Sequence, residues 1–286
     1  MKGKLEKIDM SRSFTTKMCF WMLVTSLCVF LICFGTAQWF AQRQMLADGH
    51  QKANLELDKA LQYIDEEMTE IETAAKNFES MLPRDEVPTP DKVYSLCRKF
   101  LTTNPGIQGV AMGFEPGVYA QYPHGFAPYM MRQADGSYKT TLLNEHYSYR
   151  DKEWYRATRQ ADSARWSNPF TEVNGSIICS YCVPLHNSAG QLLGVLAIDL
   201  SLEELTEHVQ KIKPYPNSFL TVMDRNLNFV VHPDKHLLLR GNPLKVLDRG
   251  KYEVNETIFI DIRNRVRGKG AFGEQGARKF LYYAPI

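Results

Sequence analysis

Several signatures of enzymatic chemistry are missing from these 286 residues. There is no glycine-rich phosphate loop and no Gly-x-Ser-x-Gly turn to expose a serine nucleophile. His208, His232 and His236 do not recur with cysteine or carboxylate partners at a metal-ligand spacing, and the His232-Pro233-Asp234 run reads as structural. The chain is therefore expected to have no catalytic residue, no metal and no cofactor. A strong net charge is lacking too. The formal value is +2, and no Lys/Arg stripe interleaved with aromatics follows the first apolar run, so no nucleic-acid partner is expected. Cysteine is sparse: Cys19, Cys28 and Cys33 fall in that apolar run, and Cys97, Cys179 and Cys182 are too few for a disulfide scaffold. What is present, 44% hydrophobic and 23% charged residues, suits a folded protein with one large or two small cores.

The longest gap is in charge. From Met18 to Phe40 no side chain is ionisable as an acid or base of the Asp, Glu, Lys or Arg kind, and the next charge is Arg43. About 20 apolar residues suffice for a helix to cross the hydrocarbon core. A cleaved signal peptide would have an apolar run of only ~7–15 residues, and here the run passes the small Gly35-Thr36-Ala37 to reach Trp39 and Phe40. A buried core helix would rarely avoid charge for so long, and Trp21 and Trp39 stand near the ends as interfacial anchors do. Before the run, Lys2, Lys4, Lys7, Arg12 and Lys17 outweigh Glu6 and Asp9 by +3. By the positive-inside rule residues 1–17 are a cytoplasmic tail, 18–40 a transmembrane helix in the cell (inner) membrane, and 44–286 periplasmic or extracellular. The lipid bilayer is the first expected partner.

Past the span, Leu57, Leu61, Ile64, Met68, Ile71, Ala75, Phe78 and Leu82 recur at alternating steps of four and three, with charged residues between them. This predicts a long helix over 44–82, ended by Pro83. Its apolar seam either lies on its own domain or also meets a second copy, giving a homodimer through the 57–82 helix. Pro83, Pro88 and Pro90 mark a loop, and Val93, Leu96, Cys97, Phe100 and Leu101 a shorter helix closed by Asn104-Pro105-Gly106. The period then changes. Ile107 to Phe114 reads as a strand, two strand-like runs flank Asp135-Gly136, and "SIICSYCVPLHNSAGQLLGVLAIDLS" reads as a hairpin turning at Asn187–Gly190, followed by an amphipathic helix. After "KPYPNS" a smaller unit is expected: a strand at Ser218–Asp224, a turn, a returning strand at Phe229–His232, a helix in "NETIFIDIRNRVRGKG" stopped by Gly268 and Gly270, and a strand in "ARKFLYYAPI".

A membrane helix, a long helix, a sheet carrying Trp154-Tyr155, "NPF" and the hairpin Cys179–Leu205 with Asp199, and then a second sheet with "MDRNLNFVVHPDK" together resemble the double Cache extracellular sensors of bacterial signal transducers. The resemblance covers 44–286. It implies an α+β fold, with two PAS-like antiparallel-sheet modules stacked along the long helix: a membrane-distal one at 83–214, which holds the ligand, and a membrane-proximal one at 215–286, incomplete at its C-terminus. It also implies a small-molecule ligand, and an output module beyond residue 286 of histidine kinase, chemotaxis, cyclase or phosphatase type.

Amino-acid-binding members resemble one another at a set of pocket positions, of which Tyr147, Trp154, Tyr155 and Asp199 match here; Lys152 stands where an Arg is expected and Phe170 where a Tyr is. Arg grips a carboxylate with a planar fork, whereas Lys offers a point charge. The chemistry of the residues agrees with a site for a small amino acid, amine or carboxylate. Asp199 would meet an ammonium, Lys152 or Arg150 a carboxylate, and the rings would exclude water and present their faces to positive charge. Each has an ordinary alternative: the rings as core, Lys152 and Arg150 as a solvated loop, Asp199 as the cap of the following helix. That last role competes with Ser201, which forms a capping box with Glu204. Two other functions remain: a dimerising ectodomain with no ligand, and a thiol redox protein using Cys179 and Cys182. The redox reading is disfavoured because residues three apart on a strand point to opposite faces.

Overall fold

One helix, α1, runs without interruption through Phe14–Met81 and joins the two apolar patterns that the sequence presents separately. The structure is a computed structural model that describes residues 14–83, 86–133, 135–224, 226–241, 257–274 and 277–286. The chain divides into two compact units, Met1–Asn54 and Leu55–Ile286. In the first unit α1 is long and apolar enough to cross a membrane: its most apolar window has a mean hydropathy of 2.3 and buries none of its surface in the protein.

In the second unit the seam of α1 turns inward. Ile64, Ile71, Ala75 and Phe78 are buried in the main core, whereas Leu57, Leu61, Met68 and Leu82 are half-buried along one edge of the same face. The small residues Ala60 and Ala74 are buried beside them and extend the contact to the other edge. Met68 and Leu82 also pack against that core, so of the expected dimer seam Leu57 and Leu61 are left outside it.

Pro83 is followed by α2 (Pro90–Thr103), where Thr89 caps the first turn by accepting from the Lys92 N–H at 3.4 Å. The main sheet is antiparallel throughout, built from β1 (Gly109–Phe114), β2 (Pro128–Arg132), β3 (Tyr138–Leu142), β4 (Arg165–Trp166), β5 (Phe170–Thr171), β6 (Ile177–His186) and β7 (Leu192–Ser201). Its order is β3-β2-β1-β7-β6-β4, with β5 also pairing β6. The expected hairpins are both there. At the tip of β6–β7 the Asn187 side chain accepts from the N–H groups of Ala189 and Gln191.

All six residues of β1 are buried because both sheet faces are covered. On one face Val110, Met112, Leu196 and Ile198 pack with α1 and α2. On the other, small residues dominate the central strands: Gly109, Ala111, Gly113, Cys182 and Ala197. Rings fill the space they leave. Tyr129 of β2 supplies one of these rings, and most of the others come from the aromatic and charged stretch between Tyr149 and Phe170, which forms a single 3-10 turn at Tyr149–Asp151, then α3 (Glu153–Ala161), β4 and β5. After β7, α4 (Leu202–Val209) is capped by Ser201, which accepts from the Glu204 N–H at 3.2 Å. Asp199, two residues earlier in β7, is not its cap.

The C-terminal part of this unit departs from expectation in detail. The strand expected at Ser218–Asp224 shortens to β8 (Val222–Met223), because the Gln210 side chain takes the backbone N–H and C=O of Leu220. It pairs with β9 (Phe229–Val231) across a turn in which Asp224 accepts from the N–H groups of Asn226 and Asn228. Helix α5 (Thr257–Arg263) ends well before the glycines expected to stop it. Arg265 adopts φ 58°, and the Val266 N–H closes on the Asp261 carbonyl at 2.9 Å. The glycines serve a different purpose. Gly268 and Gly270 lie in β10 (Gly268–Glu274), which pairs with β11 (Ala277–Tyr283), and a Cβ at Gly268 would meet the Tyr283 ring. Arg267 before β10 pairs with Asp58 of α1 at 2.6 Å.

Candidate functional site

The face of the sheet under α3 brings Tyr147, Trp154, Tyr155 and Phe170 into one cluster with Tyr129, Met131 and Tyr149. Trp154 and Tyr155 are adjacent in sequence yet both buried, at 3% and 0% exposure, since they occupy the face of α3 that lies against β6 and β7. Tyr149 fixes the entry to α3 by donating its hydroxyl to the Phe114 carbonyl. Tyr155 donates to Glu115 Oε1 at 2.8 Å, and Arg159 reaches the same oxygen at 2.5 Å. Burial and that bond to Glu115 raise the Tyr155 hydroxyl well above its ordinary pKa. The polar end of Tyr155 is therefore engaged away from Asp199, and its ring packs edge-on to Tyr149 and Trp154.

Asp199 is the most unusual group in the sheet. It is 3% exposed, and Oδ1 accepts from the Ser180 hydroxyl at 2.6 Å across the β6–β7 pair. Oδ2 is buried and makes no well-aligned hydrogen bond among the described residues, although the Tyr129 hydroxyl stands beside it. An ionised carboxylate oxygen left bare in a dry site is costly. Burial raises the Asp199 pKa to about 7; the Ser180 bond opposes this, the Glu172 charge adds to it, and the neighbouring Tyr129 hydroxyl also favours the charged form. Gly109 makes room for this arrangement. A Cβ there would stand 2.7 Å from the Tyr129 hydroxyl and 2.9 Å from Asp199 Oδ2.

A second carboxylate joins the first. Glu172, directly after β5, is 7% exposed, and its Oε1 accepts from the Val173 N–H at 2.8 Å and from the Tyr147 hydroxyl at 3.5 Å. Burial raises its pKa against the pull of those bonds and of the Lys152 and His146 side chains. Lys152 is exposed, with Nζ 4.7 Å from the centre of the half-buried Tyr147 ring. Phe170 is half-buried at the edge of the cluster. The six expected residues thus occupy one side of one sheet, with Asp199 at the floor, Trp154 and Tyr155 in the wall, Tyr147 and Phe170 at the margin and Lys152 in solvent.

Sequence reasoning missed Glu172, Tyr129, Ser180 and Gly109. Glu172 was within reach, since period-two alternation puts it on the same face as Phe170. Ser180 sits opposite Asp199 in the expected hairpin. Nothing local marks Tyr129 or Gly109.

The floor is also wired to α1. Ser167 N–H donates to the Ser180 carbonyl at 2.8 Å, and Ser180 N–H donates to Ser167 Oγ at 3.0 Å. Next to Ser167, Trp166 Nε1 donates to Glu72 of α1 at 2.9 Å. The CSYC pair forms no disulfide: Cys182 packs in the ring cluster and Cys179 against the main core. Burial, with the Asp199 charge, pushes the Cys179 thiol up to about 12 and Cys182 well above its ordinary value, the reverse of what a thiolate nucleophile requires. Among the described residues no group of three or more His, Cys, Asp or Glu could hold a metal.

Residues 93–207 match the family model of the first PDC sensor domain of methyl-accepting chemotaxis protein-like receptors. Solved structures share the fold at low identity. One is the extracellular domain assigned to a histidine kinase, mmHK1S-Z3, at 19% identity and TM-score 0.61, covering 82% of this chain and 86% of that one. Another is methyl-accepting chemotaxis protein X, at 16% and 0.64, covering 80% and 89%. A third is the ligand-binding domain of the Pseudomonas aeruginosa PAO1 amino-acid chemoreceptor PctC in complex with GABA, at 20% and 0.52, covering 80% and 87%.

Proposed function

We propose that this chain is the sensing region of a membrane signal transducer, and that its ring-lined site at Asp199 binds a small amine-bearing solute outside the cytoplasm. The observation that carries this reading is Asp199 Oδ2, a buried carboxylate acceptor without a well-aligned donor, beside the Tyr129 hydroxyl and aromatic faces. An ammonium group would satisfy it with a charge-assisted bond. The match to a sensor-domain family and the amine-bearing ligand of PctC support the same assignment. Residues 1–17 are the cytoplasmic tail, 18–40 the membrane span and 44–82 the signalling helix; 83–214 form the ligand-holding Cache module and 215–286 the membrane-proximal one. The route from site to helix runs through Ser180, Ser167 and Trp166 to Glu72, so a ligand that draws on Asp199 pulls on α1. Contact between two copies would use the half-buried Leu57 and Leu61 edge.

The test is titration calorimetry on the whole chain in nanodiscs of zwitterionic lipid, with amino acids, amines and small carboxylates. Binding of an amine-bearing solute, weakened about tenfold or more by Asp199→Asn, is the expected result. Binding that survives Asp199→Asn unchanged would place the site elsewhere.

A further inference from the structure

The ring-lined site at Asp199 is more acidic than an amino-acid site needs to be. Asp199 and Glu172 are both buried against the same ring cluster, Asp199 beside the Tyr129 hydroxyl at Gly109 and Glu172 accepting from the Tyr147 hydroxyl at 3.5 Å, and their charges oppose each other. The basic side chains near Glu172 are Lys152 and His146, and both are exposed. Two carboxylates cannot both ionise cheaply in a dry site unless positive charge arrives with the ligand. A zwitterion brings no net charge. It would also set its own carboxylate against this pair, with only a solvated lysine on the Tyr147 ring to receive it.

We propose that the site is built for a dication, a short alkyl diamine, with one ammonium on Asp199 and the other on Glu172. Glu172 is then the residue that selects diamines over amino acids of the same length. The aliphatic spacer lies along the Trp154, Tyr147 and Phe170 rings, which exclude water from it. This inference rests on the reading of the Asp199 site as a solute pocket.

The experiment uses the same whole chain in zwitterionic nanodiscs near neutral pH and compares diaminobutane, diaminopentane, butylamine and GABA by calorimetry. A diamine should bind at least about tenfold more tightly than butylamine or GABA. Glu172→Gln should weaken the diamine by about tenfold or more relative to butylamine, so that the preference collapses. Glu172→Asp, which keeps the charge, should retain the preference and guards against a folding defect in the amide variant. Tighter binding of GABA than of either diamine, or a diamine affinity indifferent to Glu172→Gln, overturns the proposal and leaves the pocket standing. If no amine binds, or Asp199→Asn changes nothing, the pocket reading itself falls and this inference with it.

Discussion

Replacing Asp199 by Asn should change how the stability of the unliganded protein depends on pH. The native pKa is about 7 against an ordinary value of 3.8, so between those values the folded state binds more protons than the unfolded state. Stability falls with rising pH wherever the folded state holds the extra proton. The penalty is absent below about pH 4, grows as pH climbs, and is complete above about pH 7. A shift of about three units corresponds to ~4 kcal/mol, and Asp199 is buried enough for that conversion to apply without a discount for solvent. Glu172, also raised by burial, contributes in the same direction. Asn keeps an acceptor for the Ser180 hydroxyl but has no charge to bury. Urea unfolding of wild type and Asp199→Asn across this range should therefore give a difference in stability that moves in favour of the variant by up to ~4 kcal/mol as pH rises, on top of a constant offset. Ligand affinity should run the other way. An ammonium needs the ionised carboxylate, so wild-type binding should tighten by up to about tenfold per pH unit below 7 and level off above it. A flat difference in stability between wild type and variant would refute the reasoning, because Asp199 would then titrate alike in both states.

Gly109→Ala places a methyl group against Tyr129 and Asp199 Oδ2, and should abolish solute binding in calorimetry while the thermal melt still shows a cooperative transition. Ile64→Asp or Ile71→Asp should unfold the second unit, at a cost of about 3–5 kcal/mol by denaturation, because both side chains are inside its core. Leu57→Asp with Leu61→Asp should leave it folded and yield a monomer by light scattering where two copies meet along that edge. Trp166→Phe removes the bond to Glu72 but keeps a ring against Tyr181; solute affinity should stay within about threefold, while the ligand-induced change in hydrogen exchange along residues 64–81 should shrink.

Periodicity alone determined much of this protein. An uncharged run, a four-three repeat and alternating apolar runs are local properties, and each yields its element without knowledge of what lies opposite: α1, α2, the β6–β7 hairpin and α4. Resemblance carried the ring set Tyr147, Trp154, Tyr155 and Phe170 to one site, and the sheet does gather them. What the sequence could not decide depends on partners distant in the chain. The glycines expected to stop α5 instead lie in β10, where Tyr283 and Ile258 come too close for a side chain, while a left-handed Arg265 ends the helix. Whether the α1 seam faced its own domain or another copy required the sheet that Ile64 and Phe78 pack against. Asp199 reads equally as a cap or as a ligand group in the sequence; the fold shows Ser201 holding the helix and Asp199 buried beside Ser180 and Tyr129. Glu172 joins the ring cluster only because β5 pairs with β6, leaving its side chain buried beside the Tyr147 hydroxyl. Burial and charge proximity are properties of the assembled sheet, and they determine what these two carboxylates can bind.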